Sequence, residues 1–115
     1  MKIRNGDTVR FRCRVKAPLE AGELARWSAD WYAANQHWTR EWSDGRIDEL
    51  AFHDEFAAAP NLFVEGDDLV LELVLAEDAT RLWRDWLAKL GRAVSLQFEI
   101  GPPKRVELKP DDPAA

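Results

Sequence analysis

Strict alternation of apolar and polar residues marks the first predicted element of the chain. From Thr8 to Lys16 every second residue is apolar, and the residues between them are threonine, arginine or lysine. A period of two is typical of a β-strand with one buried face. The basic side chains on the opposite face are Arg10, Arg12, Arg14 and Lys16. Pro18 follows this strand and favours the start of a helix.

Large apolar side chains then recur at a helical spacing. They are Leu24, Trp27, Trp31, Trp38 and Trp42. This spacing predicts one long helix from about Leu19 to Trp42, with Asn35-Gln36 as the point where a break is allowed. Gly45 is a candidate left-handed cap behind its C-terminal end.

The central segment gives weaker patterns. Residues 46–59 fit either a helix or a strand, and we favour a strand near residues 49–53. A short strand is predicted at 62–64. Residues 69–75 predict a further strand, whose apolar residues occupy both faces and thus indicate a position inside the sheet.

The remaining chain predicts one helix and two strands. Glu77-Asp78 is expected to open the helix, since acidic residues suit the positive end of the helix dipole. Gly91 is expected to end it. Alternating apolar residues over 96–100 and the pattern at 106–108 predict the last two strands.

This order predicts an α+β fold: a single mostly antiparallel sheet with two main helices packed on one face. The arrangement is typical of a ferredoxin-like (split βαβ) variant with an extra C-terminal strand. A length of 115 residues fits one domain. We expect residues 1–109 to form a single globular α+β domain and residues 110–115 to form a flexible C-terminal tail.

Charge is segregated along the chain, although the net charge is only −5. Residues 41–78 hold twelve acidic residues and one basic residue, whereas residues 1–16 hold six basic residues and one acidic residue. A concentrated acidic surface attracts basic partners and repels nucleic acid. Two other interpretations stay open: a solvated, solubilising face, and pairing of the basic strand with acids such as Glu72.

The basic face of the first strand has its own alternatives. It can protect a sheet edge, pair with acids across the sheet, or bind an anionic partner such as nucleic acid. Overall acidity and the lack of aromatic residues on that face favour the first two, so we expect no nucleic-acid partner.

Recognisable catalytic chemistry is absent from the sequence. Cys13 lies on the apolar face of its strand, as a small buried hydrophobe would. His37 and His53 do not have the spacing of a zinc site, and no nucleophile or phosphate-binding motif occurs. We therefore predict no enzyme, no cofactor and no catalytic, cofactor-binding or metal-binding residue. No apolar run suits a signal peptide or a membrane span, which predicts a cytoplasmic protein without a membrane partner.

Six tryptophans are expected to dominate a small core, since each can bury about 150–250 Å². Trp42 differs because it adjoins the acidic segment, and a tryptophan rimmed by carboxylates is the composition of an anchor on a basic partner. The predicted partner-binding residues are Trp42, Asp44, Asp48, Glu49, Asp54 and Glu55.

These features predict a non-enzymatic, acidic protein-binding module. An immunity-type or antitoxin-type inhibitor that blocks a basic partner, such as a nuclease toxin, fits best, in a bacterial cytoplasm. The alternatives are a structural or assembly subunit, for example a homodimer joined through a sheet edge or an exposed tryptophan, and a small-ligand-binding domain.

Overall fold

The computed structural model describes residues 2–104 and 106–109 and has a mixed α+β architecture. The predicted tail, 110–115, lies outside the described residues. The elements in chain order are β1 (Thr8–Val15), α1 (Ala21–Ala34), β2 (His37–Glu41), β3 (Ile47–Ala51), α2 (Phe52–Glu55), β4 (Asn61–Glu65), β5 (Asp68–Val74), α3 (Trp83–Gln97), β6 (Ile100–Pro103) and β7 (Glu107–Leu108).

The main sheet is antiparallel, as predicted. Its strand order is β4-β5-β1-β6, and β7 pairs with β1 beside β6. Phe11 of β1 faces Leu71 of β5, which in turn faces Leu62 of β4. The strands β2 and β3 form a separate two-stranded sheet, so the prediction of a single sheet is wrong. Because β1 pairs on both sides, the first strand of the chain lies inside the sheet.

The core lies on one face of this sheet. The alternation along β1 puts Val9 and Cys13 on that face, where they are almost completely buried. Residues of both long helices belong to the same apolar cluster, including Leu24 from α1 and Trp86 and Leu90 from α3. The apolar face of the sheet therefore packs against the apolar stripes of α1 and α3, and each layer buries the apolar side chains of the other.

The predicted helix from Leu19 to Trp42 is wrong beyond Ala34, and it ends at the Asn35-Gln36 position where a break was allowed. Helix α1 ends at Ala34, and the side chain of Asn35 donates a hydrogen bond to the carbonyl oxygen of Trp31 at 2.8 Å. Beyond this cap the chain extends into β2. Trp38 and Trp42 are four residues apart, a spacing that also puts both residues on one face of an extended chain.

The helix predicted to open at Glu77-Asp78 and to end at Gly91 runs instead from Trp83 to Gln97. The predicted strand at 96–100 is accordingly wrong over most of its length, and β6 begins at Ile100. The buried positions Trp83, Trp86, Leu90 and Val94 keep the helical period across the glycine. Tertiary packing of this stripe outweighs the low helix propensity of one glycine.

The other strand predictions agree better with the structure. The ambiguous segment 46–59 forms β3 and then the single turn α2, so the favoured strand near 49–53 is confirmed only in part. The strands predicted at 62–64 and 69–75 are confirmed as β4 and β5. Within the described residues, no helix is long and apolar enough to cross a membrane.

Candidate functional site

The hairpin β2–β3 carries four of the twelve acids of the segment 41–78 and is fixed against helix α3. The ring of Trp38 meets that of Trp86 edge to face, with 5.6 Å between their centroids. Arg40 Nη1 lies 2.6 Å from Asp85 Oδ2. One aromatic contact and one charged hydrogen bond thus hold the hairpin in a defined place on the molecule.

Trp42, the predicted anchor, is half-buried by its own neighbours. The guanidinium carbons of Arg40 and Arg46 lie 4.3 and 5.2 Å from its ring centroid. Its indole N–H donates to Asp48 Oδ2 at 2.5 Å. Cation–π contacts and this hydrogen bond therefore engage both Trp42 and Asp48 within the hairpin, and the pair stiffens the hairpin tip.

Three of the predicted site residues are exposed carboxylates. Asp44 lies in the hairpin turn, where its Oδ1 accepts a hydrogen bond from the backbone N–H of Arg46 at 3.0 Å. Glu49 lies on β3 opposite Thr39. Asp54 lies on α2, with its Oδ1 3.5 Å from His53 Nε2. These three side chains lie at the solvent-facing surface.

Glu55 is the buried exception, with only 4% of its surface exposed. Its Oε1 accepts hydrogen bonds from the backbone N–H of Thr80 at 2.9 Å and from the Thr80 hydroxyl at 2.7 Å. The same hydroxyl accepts a hydrogen bond from the backbone N–H of Leu82 at 3.1 Å. Glu55 therefore fixes the loop that leads into α3.

A small pocket lies where α2 meets this loop. Its volume is about 310 Å³. It is lined by Leu50, Ala51, Asp54, Glu55, Asp78, Thr80, Leu82 and Trp86. We call this group of residues the acidic pocket. Its size is at the lower end of the roughly 300–1,000 Å³ typical of ligand sites, which suits one side chain better than a large cofactor.

Three carboxylates and an apolar wall characterise the acidic pocket. Asp54, Glu55 and Asp78 provide the negative charge, and no basic side chain is among the described residues that line it. The aliphatic and indole groups suit a hydrocarbon stem. Trp86 also has an indole N–H with no hydrogen-bond partner within the described part of the chain, so one buried donor beside the pocket stays unsatisfied. A lysine or arginine side chain matches the carboxylates and the apolar wall, whereas the indole N–H would need an acceptor that neither side chain has.

Sequence reasoning found only part of this pocket. Asp54 and Glu55 were predicted as site residues, whereas Asp78, Thr80 and Trp86 were not. Asp78 belongs to the acidic segment, and its charge was the available signal. The approach of the loop before α3 to α2 depends on the buried contact between Glu55 and Thr80, which no sequence period indicates.

Two of the basic side chains on β1 are neutralised within the sheet. Arg10 Nε lies 2.9 Å from Glu72 Oε2, as the cross-strand interpretation predicted. Arg12 lies within 3.4 Å of three carboxylates, those of Glu65, Asp68 and Glu107. Edge protection is wrong as an explanation because β1 lies inside the sheet. Two of the four basic side chains of this face are thus engaged by carboxylates of the sheet rather than by an anionic partner.

The surroundings of the remaining candidate residues indicate a structural role. Cys13 is fully buried, and burial together with the nearby charge of Asp68 raises the pKa of its thiol. Burial likewise lowers the pKa of Lys89, which lies over the rings of Trp38 and Trp86. Within residues 2–104 and 106–109, no group of three or more His, Cys, Asp or Glu side chains is arranged to hold a metal ion.

Neither the protein-family models, nor the curated proteins, nor the solved structures gave a match to this chain.

Proposed function

We propose that the protein is a non-enzymatic, acidic protein-binding module that blocks a basic partner. The type that fits best is an immunity or antitoxin protein acting on a toxin such as a nuclease, in a bacterial cytoplasm. The acidic pocket carries this proposal, because its three carboxylates and its apolar wall suit the insertion of a lysine or arginine from the partner.

The exposed acids around the hairpin extend the surface proposed for the partner. Glu49 on β3 and Asp44 in the turn add negative charge on the same hairpin whose strand β3 leads directly into α2. Charges of one sign on a surface accelerate the approach of an oppositely charged protein and fix its orientation. Inhibition then follows because this protein occupies the partner's substrate site. Its carboxylates cover the basic groups that hold the partner's anionic substrate.

The ferredoxin-like description of the fold is part of the proposal. Support comes from the strand order β4-β5-β1-β6, in which β5 lies between β1 and β4, together with helices α1 and α3 on one face. The hairpin β2–β3 and α2 are then an insertion between α1 and β4. This insertion carries all six residues predicted to bind a partner.

The first experiment is capture of the tagged protein's partners from its own cells, with elution in a salt gradient. We expect a basic protein that is released as the salt concentration rises, because screening weakens charge pairing. Suppression of that protein's activity by this chain would establish inhibition. Recovery of no basic protein, in cells that express the chain, would overturn the proposed function.

Charge reversal in the pocket tests the site itself. We expect Asp54→Lys together with Asp78→Lys to slow association with the captured partner by at least about tenfold. Asp30→Lys is the matched control, since Asp30 is an exposed acid on α1, an element that contributes nothing to the pocket. The association rates of the double variant and the control are compared at low and at moderate salt concentration. Equal rates for the double variant and the control would show that the partner binds elsewhere.

A further inference from the structure

The strand β4 forms an open edge of the main sheet. Within residues 2–104 and 106–109 it pairs with β5 and with no other strand. Val64 is 43% exposed although it is apolar and lies in a regular strand. An edge strand presents unpaired N–H and C=O groups, and these can pair with another strand.

The turn before β5 determines which backbone groups of β4 are free. Glu65 and Asp68 face each other across a two-residue loop, Gly66-Asp67, in which only Gly66 has a positive φ, of 61°. This is the type II′ geometry of tight hairpins. Its closing pair is hydrogen-bonded, and bonded pairs then alternate along the ladder. Leu62 and Val64 consequently direct their N–H and C=O groups away from β5.

We propose that β4 pairs with β4 of a second copy of the chain, antiparallel and about a two-fold axis at Phe63. In this register Leu62 of each copy faces Val64 of the other, and the free backbone groups of both residues form four hydrogen bonds. A register centred on Leu62 would place Val64 opposite Pro60, which has no N–H to donate. The register centred on Phe63 therefore satisfies the free backbone groups of β4 best.

The side chains are complementary in the same register. Leu62 and Val64 pair on the face that carries the core, and the two Phe63 rings meet on the opposite face. Asn61 faces Glu65 of the second copy, so no two like charges lie opposite each other. Because the sequence of β4 is complementary to itself in this register, a second copy of the chain is the partner that fits the open edge.

A groove beside β4 provides space for the new apolar pair. It lies between α1 and β4 and has a volume of about 310 Å³. Small side chains of α1, Ala25 and Ala29, line it together with Leu62. Val64 of the second copy would lie next to Leu62 at this groove, where its exposed surface becomes covered. The proposed pairing goes beyond the function proposed above and does not depend on it.

Molar mass measured by light scattering over a range of protein concentrations tests the pairing. We expect the mass to rise from 13.2 kDa towards twice that value. Val64→Lys should remove the dimer, because a charge would lie beside Leu62 of the other copy. Leu96→Lys and Ile47→Lys are matched controls, since both residues are exposed apolar side chains on other elements. Both controls should still form the dimer.

Amide hydrogen exchange locates the interface independently of any variant. The amides of Leu62 and Val64 should exchange several-fold more slowly at high protein concentration, and those of exposed turns should not change. A wild-type mass that stays at 13.2 kDa up to near-millimolar concentration would overturn the proposal. So would a dimer that Val64→Lys leaves intact, or one that either control abolishes.

Discussion

A single buried carboxylate links α2 to the beginning of α3. Glu55 accepts two hydrogen bonds from Thr80, and Thr80 in turn accepts one from the backbone N–H of Leu82. Acids of this kind are expected at a surface, since an isolated buried charge is costly. Here the hydrogen bonds compensate for burial, so the role of Glu55 is to position the loop that forms one wall of the acidic pocket.

Substitution of Glu55 should separate this role from charge alone. We expect Glu55→Ala to lower the free energy of unfolding by about 2 kcal/mol, because the backbone N–H of Thr80 loses its acceptor. Glu55→Gln keeps an acceptor oxygen and should cost less than about 1 kcal/mol. Urea unfolding of both variants measures the difference. Equal stability of Glu55→Ala and the wild type would contradict the assigned hydrogen bonds.

Residue type alone was a limited guide to the candidate site. The acidic composition of 41–78 drew attention to this segment, and Asp54, Glu55 and Asp78 from it line the pocket. It could not show that Trp42 and Asp48 bind each other, because a tryptophan beside carboxylates fits an anchor and an internal pair equally well. Side-chain partners depend on the strand register, and the sequence left this segment open between helix and strand.

Helix α3 illustrates how an element overrides one unfavourable residue. It continues through Gly91, where the stripe of Trp86, Leu90 and Val94 packs against the sheet. A Cβ added at Gly91 would lie 3.9 Å from the nearest ring carbons of Phe11, an ordinary van der Waals distance. The glycine is therefore neither a cap nor required by close packing.

Gly91→Ala should consequently stabilise the protein. Alanine has the higher helix propensity, and we expect a gain of about 0.5–1 kcal/mol in the free energy of unfolding. Gly66→Ala is the opposing control, because Gly66 has a φ of 61° that an alanine adopts only with strain. Thermal and urea unfolding measure both effects. A lower stability for Gly91→Ala would mean that Phe11 cannot accommodate the added methyl group.

Elements with one strong period were predicted well from sequence. The strand β1 alternates over eight residues, with Val9 and Cys13 buried, whereas β5 buries apolar residues on both faces, as its sequence predicted. The helix predicted up to Trp42 failed because its tryptophans satisfy two periods at once. Only the cap at Asn35 and the packing of Trp38 on Trp86 distinguish the two, and the second of these contacts is tertiary.

At the scale of the whole molecule, the two layers differ in how they are held together. Apolar side chains fill the space between the sheet and the helices, whereas ion pairs cross the opposite face of the sheet. Arg12 lies at the centre of these pairs, and the Lys104 ammonium lies 2.9 Å from Asp68. All three acids of β4 and β5, which are Glu65, Asp68 and Glu72, take part in this internal pairing.

Because of these ion pairs, the free energy of unfolding depends on pH in the acid range. Hydrogen bonding from Lys104, with a further contribution from Arg12, holds the pKa of Asp68 below its ordinary value of 3.8. The unfolded chain therefore binds the proton first, so the stabilisation is complete above about pH 4 and is lost as the pH falls through the lower pKa of the folded state.

Asp68→Asn should therefore be less stable than the wild type at neutral pH, and the gap should narrow below about pH 4. Urea unfolding across this pH range measures the gap, with Asp30→Asn as the control on an exposed acid of α1. A gap that stays constant with pH would show that the carboxylate's charge does not carry the effect.

The inner position of β1 has a consequence for the order in which the molecule folds. Arg10 pairs with a residue 62 positions further along the chain, and Arg12 with one 95 positions away. The hairpins β2–β3 and β4–β5 need only local contacts, but β1 has no partner until much of the chain has left the ribosome. Closing such distant contacts is slow. During synthesis, β1 is therefore the segment whose apolar face most needs protection from aggregation.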